Sequence, residues 1–185
     1  CNMQRVCVIG MGPIGNRHAN IYREDPLSDL VGVCDIRRDR ADAAGTAHGV
    51  PHFYDAEKML RALKPDLCSV TTGGFEYGSD HALPTLQALE AGAHVLCEKP
   101  LACSAAHAEE MLALAAQGGT ILPVNFVLRY NPVAECVKAV IDSGGMGRVL
   151  SARLTNCATD TNLGPDHWFW DKAISGGIFI EHGVH

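Results

Sequence analysis

Apolar runs of five or six residues alternate with amphipathic stretches of 10 to 15 residues up to about position 126. This is the pattern of a parallel sheet covered by helices on both faces. The runs at 5–10 (RVCVIG), 30–35 (LVGVCD), 67–72 (LCSVTT), 93–98 (AHVLCE) and 120–126 (TILPVNF) predict strands, with a short one near 51–53. Six strands fit one α/β domain, a doubly wound sheet ordered 3-2-1-4-5-6 with the sixth strand at an edge. An edge suits Pro123, which lacks the N–H that a ladder needs. Between the strands, Asp55 can cap a helix that runs through Leu63 and is ended by Pro65. Ser79 or Asp80 can cap one that closes at Gly92, and Ser104 can open one that stops near Gly118-Gly119.

Beyond residue 128 the texture changes. Asn131 and Pro132 suit the cap and first position of a helix running to Ser143, with Gly144 past its end. Residues 148–156 (RVLSARLTN) put Leu150, Ala152 and Leu154 on one face and Val149, Ser151, Arg153 and Thr155 on the other, the period of a half-buried strand. Such a strand belongs to a different sheet and needs partners that this sequence does not contain. Two units are therefore expected, 1–128 and an incomplete 129–185. The last stretch, SGGIFIEHGVH, reads as helix, with Glu181 and His185 four residues apart on one face and His182 on another.

Composition narrows the class. Of 185 residues, 47% are hydrophobic and 19% charged, which is a folded globular chain. The net charge of −6 argues against a nucleic-acid partner, which needs clustered Lys and Arg. No run of 18 apolar residues is present, so no membrane partner is expected, and the start CNMQRVCVIG lacks the apolar core of a secretory signal; the expected location is cytoplasmic. A start at Cys1, with Met3 inside, suggests an incomplete reading frame. The eight cysteines form no C-x-x-C pair, and four fall in apolar runs, so reduced thiols and no metal site are expected.

The segment VCVIGMGPIGNRH sets Gly10, Gly12 and Gly15 as G-x-G-x-x-G between a strand and a helix. Pro13 suits the first helical turn, and Asp35 lies 20 residues after Gly15 at the end of the second strand. Gly10 permits a tight turn, Gly12 lets backbone approach a pyrophosphate, and Gly15 lets helix pack on strand. The plainer alternative is an ordinary glycine-rich turn with Asp35 as a helix cap. Asp35 can accept from both ribose hydroxyls and opposes a 2′-phosphate, which favours NAD. Arg37 and Arg38 keep NADP open, because either can curl back to a phosphate.

Glu98-Lys99-Pro100 stands at the carboxyl end of the fifth strand, where ligands of open α/β sheets bind. Pro100 disfavours helical geometry at Lys99 and keeps the ammonium at the strand tip. The alternative is a surface Lys paired with Glu98. Taken alone, Glu181 and His185 read equally well as a solvated helix face; with Lys99 over a dinucleotide site, His185 suits the base that alcohol oxidation needs for the hydroxyl proton as hydride leaves for a nicotinamide.

In order and spacing, GMGPIG, Asp35, DHALPTLQALEAGAHVLCEKPLA, FVLRYNP and GGIFIEHGVH resemble the Gfo/Idh/MocA oxidoreductases, named for glucose-fructose oxidoreductase and inositol dehydrogenase. The resemblance implies a Rossmann domain followed by an α+β substrate domain with an open, mainly antiparallel sheet. It also implies a chain about twice as long, so that this one reads as a fragment. Implied too are hydride transfer between NAD or NADP and a sugar, inositol or related polyol, and homo-oligomers formed through the open sheet. By matching position, Lys99 orients and polarises the substrate hydroxyl, often with a cis bond to Pro100, and His185 exchanges the proton. Glu181 stands where the family usually has Asp, its carboxylate displaced by about one C–C bond. The expected cofactor contacts are thus Gly10, Gly12, Pro13, Ile14, Gly15, Asp35, Arg37, Thr72, His81, Glu98 and Lys99, of which the resemblance sets Thr72 and His81 beside the nicotinamide. The stretch TTGGFEYGSDH is longer than the turn usual there. Arg129, Asn131, Asp166, His167 and Trp168 are secondary candidates for a substrate pocket, since a cap, an ion pair or core is the commoner role of each. A non-catalytic, dinucleotide-sensing regulator of the same fold is the alternative function, against which Lys99 and His185 speak.

Overall fold

Val6, Cys7 and Val8 have no exposed surface, as a strand covered on both faces requires. They lie in β1 (Gln4–Ile9), at the centre of the sheet. The computed structural model describes residues 3–153, 155, 163–181 and 183. With β2 (Ser28–Cys34), β3 (His52–Phe53), β4 (Leu67–Val70) and β5 (His94–Cys97), β1 forms a parallel sheet ordered β3-β2-β1-β4-β5. The expected sixth strand is a shorter feature. Val95 and Cys97 donate to the Ile121 and Pro123 carbonyls at 2.9 and 3.0 Å, and Asn125 N–H returns to Cys97 at 2.8 Å, around a single bridge between Cys97 and Val124. Pro123 thus sits on the edge, where its missing N–H costs nothing.

Two cores follow from the alternation along β1. Cys7 and Ile9 face α3 (Ala56–Leu63), α4 (Ala82–Glu90) and α5 (Ala105–Gly118), whose Met59, Leu60, Leu89 and Met111 are buried with them. Val8 faces α1 (Pro13–Glu24) and α2 (Arg38–His48) through Ala19 and Ala44. Each large side chain sealed in this way contributes about 1.5–3 kcal/mol. The helix starts follow local chemistry. Asp55 accepts from Lys58 N–H at 3.0 Å and Ser104 from His107 N–H at 3.2 Å. Asn131 accepts from Val133 N–H at 2.9 Å to open α6 (Pro132–Asp142). At α4 the cap position is His81, and Asp80 supplies the local hydrogen bond, to Ala82 N–H at 3.0 Å.

Register decides where the chemistry sits. Ile9 pairs with Cys34 and with Val70, and Val70 pairs with Cys97. Four strands therefore end level, and the next residues along them are Gly10, Asp35, Thr71 and Glu98.

One expectation fails. Residues 148–153 and 155 form no strand, and Leu150 is 80% exposed; an alternating face has no surface to bury against without partner strands. Residues 154 and 156 lie outside the described residues. Within the terminal stretch 175–185 expected as helix, Ile178–Glu181 is helical (α8), preceded by a separate short turn, α7 (Lys172–Ser175); residues 182, 184 and 185 lie outside the described residues. Gly176 and Gly177, at φ 76° and 89°, end α7 in left-handed backbone.

The six described cysteines are free thiols. Burial pushes Cys7, Cys34 and Cys97 up to about 12, so they are unreactive. Cys1 and Cys157 lie outside the described residues. Among the described residues no group of His, Cys, Asp and Glu is arranged to hold a metal ion, and no helix is long and apolar enough to cross a membrane.

Candidate active site

The turn after β1 is built on its glycines. Gly10 adopts φ 95° and donates to the Cys34 carbonyl at 2.8 Å; a Cβ there would stand 2.7 Å from Thr72 N. A Cβ on Gly15 would overlap the Gly10 carbonyl oxygen, so α1 meets the strand only because residue 15 has no side chain. A Cβ on Gly12 would meet no described atom within 4 Å, which leaves room for a ligand to touch backbone. Pro13 begins α1 without losing a donor, and the first-turn amides have no acceptor within the helix. That end of a 12-residue helix suits an anion.

Asp35 is buried and already half engaged. Its Oδ2 accepts from Met11 N–H at 2.7 Å and its Oδ1 from Arg37 N–H at 2.8 Å. Each oxygen keeps a further lone pair for a ribose hydroxyl. The carboxylate thereby also ties the tip of β2 to the glycine turn.

A cavity of about 770 Å³ runs from this turn to the tip of β5. Gly10, Gly12, Pro13, Ile14, Asp35 and Thr72 line one part, and His81, Glu98, Lys99 and Glu181 another. Lys99, joined to Pro100 by a cis peptide, sends Nζ to Glu181 Oε2 at 2.8 Å and to the Glu181 carbonyl at 3.1 Å. Ser79 donates its hydroxyl to Glu181 Oε1. The longer side chain of Glu181 thus ends on two partners at the cavity wall. Glu98 Oε1 accepts from Asn125 Nδ2 at 2.7 Å and His18 Nε2 at 3.1 Å, and Oε2 from Lys99 N–H at 3.2 Å. Burial would raise the Glu98 carboxyl, but these hydrogen bonds prevail and hold it below its ordinary value. His81 donates Nδ1–H to the Pro100 carbonyl at 2.7 Å, and burial lowers its pKa, which leaves Nε2 bare toward neutral pH.

Not every candidate joins this arrangement. Arg37 does not line the cavity: its guanidinium forks onto Asp39 at 2.7 and 3.2 Å, an exposed pair. Arg38 lies 4.5 Å over the Tyr54 ring, while Arg40 lines the cavity. Of the secondary candidates, His167 and Trp168 line it; Asp166 does not, Arg129 lines a separate shallow depression, and Asn131 is the cap of α6. His185 lies outside the described residues. Sequence reasoning misses His18, Asn125 and Arg40, and assigns Ser79 only as a cap. A polar Ser79 ahead of a helix carries no local mark of a partner 102 residues away.

The family model described as "Oxidoreductase family, NAD-binding Rossmann fold" (GFO_IDH_MocA) matches residues 4–126. D-glucoside 3-dehydrogenase of Escherichia coli is 34% identical over 187 residues, which cover 98% of this chain and 51% of that protein. The WlbA dehydrogenase of Bordetella pertussis, solved with NADH and UDP-GlcNAcA, is 26% identical with a TM-score of 0.74, covering 80% of this chain and 44% of that one. A 3-ketoreductase from Actinomadura kijaniata, solved with NADP, is 30% identical with a TM-score of 0.68, covering 80% and 46%. The chain spans about half the length of the curated relatives it matches. With its glycine turn, level strand tips and matched residues, the chain belongs to the GFO_IDH_MocA family of oxidoreductases and carries their NAD-binding Rossmann fold.

Proposed function

We propose that the protein carrying this chain is a dehydrogenase that transfers a hydride between a nicotinamide dinucleotide and a sugar, inositol or related polyol. In this reading residues 1–128 hold the dinucleotide and 129–185 begin the substrate domain of a homo-oligomer. The observation that carries it is the meeting of Lys99 and Glu181 on the wall of the same cavity that opens at Gly12 and Asp35. The glucoside in the name of one similar protein and the UDP-GlcNAcA bound to another support the substrate class.

The residues present fit the dinucleotide. The open space at Gly12 and the free amides of α1 suit a pyrophosphate, and the two remaining lone pairs of Asp35 suit a ribose diol. When bound, the nicotinamide supplies the hydride-accepting or hydride-donating carbon. Lys99 then presents an ammonium to the substrate oxygen, lowering the cost of negative charge there as the proton leaves. Glu181, itself held by the Ser79 hydroxyl, keeps that ammonium in place. His185, by resemblance, takes the hydroxyl proton. NAD is the preferred dinucleotide, because Asp35 opposes a 2′-phosphate and Arg37 is occupied by Asp39; Arg40 on the cavity wall is the residue that would serve NADP.

A panel of inositols, glucose and glucosides, assayed with NAD and NADP for reduced nicotinamide, tests the proposal. Lys99→Met is expected to lower turnover of the accepted substrate at least about a hundredfold while the NADH dissociation constant stays within about threefold. Unchanged turnover in the variant would remove Lys99 from the mechanism. Dinucleotide binding with no turnover on any compound would favour the regulator instead.

A further inference from the structure

Glu98 touches three separate parts of the site. Its neighbour Lys99 carries the amine, its Oε1 meets Asn125 on the edge segment, and the same oxygen meets His18 on α1. His18 stands three residues after Gly15, on the helix whose first turn offers its amides to the dinucleotide. It is buried, and its ring bridges two groups: Nε2 to Glu98 at 3.1 Å and Nδ1 to the Ser69 hydroxyl of β4 at 2.7 Å. A carboxylate can only accept, so Nε2 carries a proton; in the neutral ring Nδ1 accepts the Ser69 proton. Every polar atom of the ring is therefore engaged. The result is a continuous path of hydrogen bonds from Ser69 through His18 and Glu98 to the Lys99 amide, separate from the backbone ladders of the helix and the strands.

We propose that His18 is a positioning residue: with Asn125 it pins Glu98, and through Glu98 the Lys99 turn, to the helix that receives the dinucleotide. The consequence is geometric. Helix α1 fixes the pyrophosphate end of the ligand, and the same helix, through one imidazole, fixes the backbone from which the amine reaches into the cavity. A misplacement of about 1 Å at such a group lowers rate far more than affinity. His18→Gln keeps a donor for Glu98 and an acceptor for Ser69, whereas His18→Leu fills much of the space and keeps neither.

The part played by α1 toward the dinucleotide and the kinetic effect rest on the function proposed above; the pinning of the Lys99 turn by His18 does not, and amide hydrogen exchange of the purified protein tests it without a substrate. In His18→Leu the Lys99 amide is expected to exchange at least about tenfold faster than in wild type, with the amides of α1 and β5 changed less than about twofold. His18→Gln should restore the wild-type rate. Asn125→Leu, which removes the second donor from outside the core, should reproduce the effect and carries the test if His18→Leu does not fold. With an accepted substrate, His18→Leu should lower kcat at least about tenfold while the NADH dissociation constant stays within about threefold. An unchanged Lys99 amide would overturn the proposal, and so would faster exchange throughout α1 and β5 with no recovery in His18→Gln, which marks a packing role alone. If wild type failed to bind NADH, the function proposed above would fall, and the Lys99 amide would still decide this inference.

Discussion

At His81 burial outweighs every neighbouring charge. The ring is 3% exposed, and desolvation lowers its pKa although the Pro100 carbonyl, Glu98, Asp80 and Glu181 all act to raise it. An unfolded histidine takes up its proton near 6.5 and the folded ring resists it, so stability is complete above that value. It declines as pH falls below it, until the folded ring itself titrates. Melting temperature should therefore fall more steeply between about pH 7 and pH 5 in wild type than in His81→Asn, whose amide keeps a donor near the place of Nδ1. Equal slopes in the two proteins would contradict this account. At this scale the sequence shows what depends on near neighbours. Gly10, Gly12, Gly15 and Asp35 act through the spacing of one strand, one turn and the next strand; Gly10, Gly12 and Asp35 line the cavity, and Gly15 seats the helix that borders it. His18 and Ser79 are silent because their partners lie 80 and 102 residues away, across a sheet order that short-range pattern does not encode.

At the scale of elements, the meeting of α1 with β1 separates packing from binding. A methyl group at Gly15 drives against the Gly10 carbonyl, whereas one at Gly12 points into open space at an ordinary backbone angle. Gly15→Ala is expected to cost about 1–3 kcal/mol of stability and to weaken NADH binding as α1 shifts. Gly12→Ala should cost less than about 1 kcal/mol, as a poorer cap, yet weaken NADH binding at least about tenfold. Chemical denaturation beside fluorescence titration reads both; a Gly12→Ala protein that binds like wild type would contradict the placement of the pyrophosphate. Helices that begin on Asp55, Ser104 and Asn131 are legible because the cap and its amide lie within three residues. The strand expected at 148–156 fails for the opposite reason. Alternation states which face would be buried, not whether anything covers it, and Leu150 is exposed among the described residues. In the terminal stretch the glycines set the start: Gly176 and Gly177 close α7 in left-handed backbone, and the apolar run after them is helical over Ile178–Glu181.

Across the whole molecule, the candidate site depends on strands that end at one level. The level of Ile9, Cys34, Val70 and Cys97 brings Gly10, Asp35, Thr71 and Glu98 to one edge from four points along the chain. No single motif states that arrangement, although alternating strands and helices imply a sheet order that produces it. The most direct measurement is a crystal structure of the protein with NADH. The account predicts the pyrophosphate against Gly12 and the first turn of α1, the adenosine ribose on Asp35, and the nicotinamide at the Lys99–Glu181 end of the cavity. A dinucleotide lying in the reverse direction, or bound away from the strand tips, would contradict it.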